Sequence, residues 1–393
     1  MTNKSSVLPA APAQKLLILL TATVFWFSQY LFIPYQTPYL YALGVIPTVV
    51  GIVVGAYGFS QMLLRVPVGL MADSVGKHRR FILLGVCASG AASLFRALCS
   101  GVTGFLIGSL LSGLAAAMWI SFMVLFFAYF SPEELQKAAG LIVGANNLGI
   151  LIGFIVGAIL FDRVGMRFLC LLSSTAAALA LVPALLIREP QREFQRLPLS
   201  ELTSVFRDRR LILFALLALI QQGIQISTSM SFTTQVAKSL GASGFQIGIC
   251  SILYILTAVL SSYAITTKAF RRIRVSVWIP AILACLMIYC LLVPNLPSVG
   301  WIDTVQILSG LSTGILFSLC TSEAMKNVPA EKHSSAMGFF QAVYALGMTL
   351  FPILTGTVSS RFSIRAAFYC LAAITVIGLI TAVGYYRLHP LEK

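Results

Sequence analysis

Gly69-Leu70-Met71-Ala72-Asp73-Ser74-Val75-Gly76-Lys77-His78-Arg79-Arg80 gathers an acid, three bases and two glycines between two long apolar runs. Its chemistry can be read directly. Gly69 allows close helix contact and Gly76 a tight reversal. Asp73, placed at a helix end, can accept charge-assisted bonds from an arginine or from a neighbouring helix N-terminus. Lys77, Arg79 and Arg80 mark a polar face. A phosphate-binding loop is excluded, because the two glycines are wrongly spaced and His78 stands where Ser or Thr is needed. Energy from ATP is therefore not expected.

Moving outward, hydrophobic residues make up 58% of the 393 and charged residues only 10%, against about 25% in soluble domains. Lipid in place of a polar surface is the common way to tolerate such a chain. The net charge of +15 raises the question of nucleic acid. The bases collect between apolar runs rather than on one face, so no nucleic-acid partner is expected. Cys87, Cys99, Cys170, Cys250, Cys285, Cys290, Cys320 and Cys370 fall in or beside apolar stretches without C-x-x-C spacing, and read as small buried hydrophobes. His78, His333 and His389 are scattered through hydrophilic connections. No metal, cofactor or enzyme chemistry is expected. The first apolar run, 16–40, exceeds the about 7–15 residues of a signal-peptide core, so it stays as a membrane helix.

A crossing needs about 20 mostly apolar residues. Twelve stretches qualify: 16–40, 47–72, 81–99, 103–130, 138–160, 168–187, 211–236, 244–267, 275–293, 299–322, 334–358 and 366–386. The sequence predicts an all-α polytopic membrane protein with a six-helix bundle in 1–187, a polar linker over 188–210 and a second six-helix bundle in 211–393. With the N-terminus placed in the cytoplasm, 20 of the 27 Lys and Arg fall on that side and six opposite, with Arg65 left inside helix 2. The positive-inside rule then puts both termini in the cytoplasm of a multi-pass plasma (inner) membrane protein. The halves repeat. A shift of 198 residues carries Gly149 onto Gly347, Arg163 onto Arg361 and Arg167 onto Arg365, and a shift of 197 carries Tyr57 onto Tyr254. Parallel repeats of this kind place a ligand site near mid-depth between the halves.

The 69–80 stretch resembles the signature loop of the major facilitator superfamily, G-x-x-x-D-[RK]-x-G-[RK]-x-[RK]. Gly69, Asp73, Gly76, Lys77 and Arg79 match, and Ser74 departs. The resemblance extends over the chain through the twelve helices, the linker and the repeat. It implies secondary transport by alternating access. It also implies that this loop, with Asp73 and Arg79 and with Arg65 four residues before Gly69, latches the cytoplasmic gate. Helix 5, Gly149-Ile150-Leu151-Ile152-Gly153-Phe154-Ile155-Val156-Gly157-Ala158, looks like the family's exporter signature G-x-x-x-G-P-x-x-G-G, with Phe154 for the proline and Ala158 for the last glycine. Ordinary small-residue packing explains the same glycines. The family's helix 4 pattern R-x-x-x-G aligns on Ser109 to Gly113, so its intramembrane arginine is absent. Arg96 near the outer end of helix 3 either substitutes for it or snorkels to the interface.

The resemblance assigns the central cavity to helices 1, 4, 7 and 10. Candidate lining residues are Trp26, Gln29, Tyr30 and Tyr35, then Trp119, then Gln222, Gln225 and Ser229 with Gln221 and Thr228, then Gln306 with Ser309 and Ser312. Tyr254 joins them, as do Asn146 and Asn147 of helix 5, paired with Tyr344 and Gln341 of helix 11. Some of these are interhelical glue rather than ligand contacts. Pro34 and Pro352 mark expected bends. Intramembrane charge is costly and usually functional, yet no carboxylate falls at the middle of an expected helix. Asp303 and Glu323, with Arg96, are the candidate coupling groups, and either acid serves equally as an interfacial anchor. The leading reading is a gradient-driven, monomeric exporter of an amphipathic drug or metabolite, with protons or another ion as coupling partner. Uptake or exchange of a polar nutrient or organic anion follows it. A lipid-flipping protein is the alternative of another class.

Overall fold

The computed structural model describes residues 11–388, apart from 100, 132–133, 190–207, 266, 268–269, 271 and 329–332, and at 11, 69–70, 73–75, 136 and 333–335 the backbone alone. Secondary structure among them is helical, without strand. The helices are α1 (Ala11–Tyr30, resuming as Ile33–Ala42), α2 (Pro47–Val75), α3 (His78–Leu98) and α4 (Val102–Ala117, resuming as Trp119–Phe127). A continuous run, Leu135–Leu186, holds α5 and α6. Then come α7 (Arg209–Ser227, with Thr233–Ser239), α8 (Gly244–Ala264), α9 (Val275–Leu292), α10 (Val299–Leu311, with Phe317–Met325), α11 (His333–Arg361) and α12 (Ile364–Leu388).

Eleven stretches among the described residues are long and apolar enough to cross a membrane, and the longest of them, Lys137–Leu186, has 50 residues. At about 1.5 Å rise per residue it would extend roughly 75 Å, more than twice a hydrocarbon core. Gly165 interrupts it at φ 72° and ψ 178°, a backbone state that a side chain would resist. Residues 135–164 are therefore α5 and 166–186 are α6, which restores twelve spans. Both ends of the run return to one face. There the Arg188 amide donates to Gln14 Oε1 at 2.7 Å, and the Lys15 ammonium sits 3.6 Å above the Phe130 ring. This face, which carries the start of α1, is called terminal below, and the opposite one distal.

The expected boundaries need three corrections. Helix continues through Asp73 to Val75, and α3 starts at His78. The signature stretch is thus a helix end and a helix start joined at Gly76 (φ 63°) and Lys77. Nothing before Gly76 forces the chain out of the α region. Helix α7 begins at Arg209 rather than 211, because the Asp208 carboxylate caps it by accepting from the Arg210 amide at 2.8 Å and the Leu211 amide at 3.2 Å. Most of the expected linker, 190–207, lies outside the described residues.

The four interrupted helices are α1, α4, α7 and α10, those assigned to the cavity by the family resemblance. In α1 the ring of Pro34 opposes the carbonyl of Tyr30, and helix stops between Tyr30 and Ile33. In α7 and α10 the interruptions are π-turns, Thr228–Phe232 and Ser312–Leu316, a distortion common at functional sites. Helix α11 carries Pro352 within one continuous run. Close packing rests on glycines. A Cβ on Gly149 would lie 2.2 Å from the Thr23 carbonyl oxygen, and one on Gly347, its repeat mate, 2.2 Å from that of Leu219. The exporter-like glycines of helix 5 therefore seat α1 on α5, and the second half repeats the arrangement with α7 on α11. Across the halves, Gly51 meets the Pro352 carbonyl in the same way, with 2.2 Å left for a Cβ.

Candidate substrate cavity and distal latch

A cavity lies between the halves, with about 500 Å³ of atom-free space including its mouth. It is walled by Gln29, Tyr30, Ile33 and Gln36 of α1, Val54 and Tyr57 of α2, Arg96 of α3, Ser109 and Ser112 of α4, and Ile226 and Met230 of α7. The break in α1 sits in the middle of this wall. Gln29 Nε2 donates to the Ser112 carbonyl at 3.4 Å. Gln36 is buried and its Oε1 finds no partner.

Arg96 resolves the two readings of the sequence. It is 4% exposed and does not snorkel. Side chains on a helix lean toward its N-terminus, so a residue near the distal end of α3 leans back into the bundle. The guanidinium donates to Ser112 Oγ at 3.1 Å and Ser109 Oγ at 3.4 Å, and lies 4.6 Å above the Phe32 ring. It occupies the neighbourhood of the helix 4 position where the family carries its arginine, delivered here from helix 3. Gly108 makes the room, since a Cβ there would come within 2.7 Å of Arg96 Cγ.

The other expected cavity residues divide. Trp26 and Trp119 pack edge to face at 5.4 Å in an aromatic cluster with Phe25 and Phe122. They back the wall rather than form it. Tyr35 stacks on Phe161 at 4.1 Å, turned toward α5 by the break before it. Ser229 and Gln306 are fully buried in a network inside the second half. Ser229 bonds Ser309 and the Tyr289 hydroxyl, which donates to Gln306 Oε1 at 3.2 Å, and Gln306 Nε2 donates to Cys250 Sγ at 3.0 Å. Tyr254 donates to Thr313 Oγ1 at 3.1 Å. These are glue, formed because uncharged polar groups in a bundle core satisfy one another first. Gln222 and Gln225 are half-buried, and Gln225 Oε1 has no partner. The Asn146 and Asn147 pairing with Tyr344 and Gln341 is not formed: Asn146 Oδ1 and Gln341 Oε1 are buried without partners, and Tyr344 accepts from Arg65 instead, at 2.6 Å.

Arg65, placed in the gating set by sequence, therefore bridges α2 and α11, holding Gln61 Oε1 at 3.3 Å as well. Arg79 donates its backbone amide to Glu189 at 2.5 Å. For Asp73 the side chain lies outside the described residues. Glu323 forms an ion pair with Arg210 at the terminal ends of α10 and α7, the only ion pair among the described residues. The pair ties those two helix ends together. Asp303 is partly buried in α10 with Oδ1 unpartnered, and it does not line the cavity.

What sequence reading missed is at the distal face. Asp162, at the end of α5, accepts from the Gly244 amide at 2.8 Å and the Phe245 amide at 3.0 Å. Those amides open α8 in the other half. The remaining two amides of that turn are satisfied locally by the Ser243–Gln246 capping box, so all four are partnered. At 198 residues further, Ser360 Oγ at the end of α11 accepts from the Thr48 amide at 2.9 Å, and the two hydroxyls also bond. That amide opens α2. Each half thus caps one helix of the other, in pseudo-symmetry, and Thr37 Oγ1 and Ser231 Oγ at 2.7 Å add a third cross-half contact on this face. The readable signal was the 198-residue register itself, which pairs Asp162 with Ser360.

Comparison with known proteins agrees with this architecture. The profile described as Major Facilitator Superfamily matches residues 18–347 and 223–393. The chain is 22% identical over 369 residues to an uncharacterised MFS-type transporter of Methanocaldococcus jannaschii, covering 90% of this chain and 93% of that one. It is 22% identical over 367 residues to the inner membrane transport protein YajR of Escherichia coli, covering 90% and 79%. Among solved structures, a bacterial homolog of the human lysosomal transporter Spinster, inward-facing and occupied, superposes with a TM-score of 0.77 at 14% identity over 97% of both chains. The nucleoside transporter NupG gives 0.77 at 14% identity over 95% and 99%. With the profile spanning both halves and the twelve helices in place, the chain belongs to the major facilitator superfamily of membrane transporters.

Proposed function

We propose that the chain is a gradient-driven transporter that carries a small amphipathic organic molecule by alternating access, with export as its direction. The observation that carries this reading is a mid-depth cavity between the halves beneath a distal face held shut by cross-half helix caps. Rocking the halves apart at that face breaks the capping bonds together with the buried Thr37–Ser231 bond and the Gly51–Pro352 contact. The cavity mixes amide, phenol and aliphatic groups, which suits a molecule with a polar end and an apolar body. The polar wall of Gln29, Gln36 and Arg96 favours a second reading, uptake or exchange of a polar nutrient or organic anion.

In this scheme residues 1–187 and 211–393 are the moving bodies, joined by a cytoplasmic 188–210 linker, in a monomer in the inner membrane. The charge asymmetry of the sequence supports cytoplasmic termini, which makes the terminal face cytoplasmic and the distal face external. Asp162 caps α8 when the external side is closed. Asp73 takes the corresponding role toward the start of α11 when the cytoplasmic side closes. Both sit three residues before a positive-φ glycine, Gly165 and Gly76, in the shared pattern Asp-x-Val-Gly. The test is flux in proteoliposomes under an imposed pH gradient, with and without a membrane potential. Gradient-driven movement of a small organic solute is expected. Movement of fluorescent lipid alone, or no gradient-linked flux over a broad solute panel, would overturn the reading.

A further inference from the structure

We infer that the molecule carried in this cavity bears an anionic group, a carboxylate, phosphonate or phosphate, held by Arg96. The inference deepens the transporter reading without depending on direction. A guanidinium taken out of water is expensive unless a counter-charge stands beside it. Arg96 is nine-tenths buried or more and faces the cavity. Its protein partners are two neutral hydroxyls and an aromatic face, and its Nε is buried with no acceptor. The one ion pair among the described residues joins Arg210 to Glu323, elsewhere.

The position is built. Gly108 leaves space that a Cβ would fill, and Ser109 and Ser112 fix the plane of the guanidinium. A planar fork with unused donors, held rigidly against a cavity, matches the geometry of a two-oxygen anion. An intramembrane charge of this kind needs a partner, and a ligand supplies one that arrives and leaves with each cycle. The aliphatic side chains of Val54, Ile226 and Met230 leave an apolar place for the rest of the molecule. A cationic or neutral solute would leave the guanidinium without its counter-charge.

The experiment uses the purified full chain in detergent, with ligand-dependent thermal stabilisation as the readout. The probes are benzoate, phenylphosphonate, benzamide and benzylamine, which share a ring and differ in charge. At least one of the two anions should bind the wild-type protein ten times or more tighter than benzamide, and benzylamine should not bind. Arg96→Gln should reduce that preference to within about twofold, and Arg96→Lys should retain part of it. Equal binding of anion and amide overturns the inference, as does anion binding indifferent to Arg96→Gln or no anion binding at all. Because the wild-type comparison of isosteres stands alone, a poorly folding variant does not rescue the idea. Flux measured in parallel separates the two claims. An anion that binds but never crosses the bilayer refutes transport and leaves the anion site. Gradient-driven flux of neutral or cationic solutes, without anion binding, does the reverse.

Discussion

Replacing Asp162 by Ala tests whether the distal caps hold the two halves together. The carboxylate accepts two amides of α8 at 2.8 and 3.0 Å. Losing such a cap costs about 1 kcal/mol, and losing a negative charge at a helix N-terminus about 0.5 kcal/mol more at an exposed position. The sum, about 1.5 kcal/mol, corresponds to roughly a tenfold rise in the open population of the distal face. Hydrogen exchange followed by mass spectrometry reads this directly. The amides of Gly244 and Phe245 should lose protection in the variant, but that alone is the trivial local result. The decisive site is Thr48, whose own acceptor, Ser360, is untouched. If the caps act as one latch, its protection should also fall by about tenfold, because every opening separates both pairs. Faster exchange at Gly244 and Phe245 with unchanged exchange at Thr48 would show that the caps are independent surface bonds, and the latch argument would fail.

Other outcomes follow from single contacts. Tyr344→Phe removes the acceptor that Arg65 reaches across α2 and α11 at 2.6 Å. A hydrogen bond to a charged group is worth about 1.5–3 kcal/mol, so the melting temperature in detergent should drop, and an unchanged value would place no energy in that bridge. Glu323→Gln leaves Arg210 without its counter-ion at the ends of α7 and α10, an effect of about 3–5 kcal/mol for a mostly buried pair. Stability should fall while the pH dependence of flux keeps its shape; a shifted pH profile would instead make Glu323 a coupling group. Gly51→Ala puts a methyl 2.2 Å from the Pro352 carbonyl, whereas Gly144→Ala meets nothing within 4 Å. Overpacking of about 1–3 kcal/mol is expected for the first and none for the second, seen as loss of monodisperse protein for Gly51→Ala alone.

The fold was legible because its causes are local in sequence. Span length, charge between spans and the 198-residue register each depend on counting, and twelve helices in two halves followed from them. The place where counting and coordinates parted, Leu135–Leu186, was settled by a single glycine with positive φ. The cavity was less legible because polar residues in a bundle serve two masters. Gln29 and Tyr30 face the cavity, while Gln306 and Ser229, of the same chemistry on equivalent helices, are consumed by Tyr289, Ser309 and Cys250. Periodicity gives a face, but it does not say whether the neighbour across that face already offers a partner. Arg96 was ambiguous for a different reason. Its height in α3 suggested the interface, and only the lean of the side chain and the gap at Gly108 turn it inward.

Asp162 shows what a fuller reading of the repeat makes available. A six-helix half relates helix 2 to helix 5 with opposite sense, so the end of α2 on one face corresponds to the end of α5 on the other. Asp73-Ser74-Val75-Gly76 and Asp162-Arg163-Val164-Gly165 are the same four-residue ending, each closing a helix with a glycine at φ between 63° and 72°. The acid in such an ending stands where a neighbouring helix begins, and a helix start offers amides that want an anion. On the distal face that demand is met by Asp162 from the other half. A transporter that alternates needs two closures of similar strength and opposite side, since a large imbalance would trap it in one form. In the proposed cycle the matching ending at Asp73 serves the other face, and one ending used on both faces supplies that balance with few distinct parts. The stretch that begins the chain's legibility at Gly69 is then half of a pair, and its partner lies at the far end of α5.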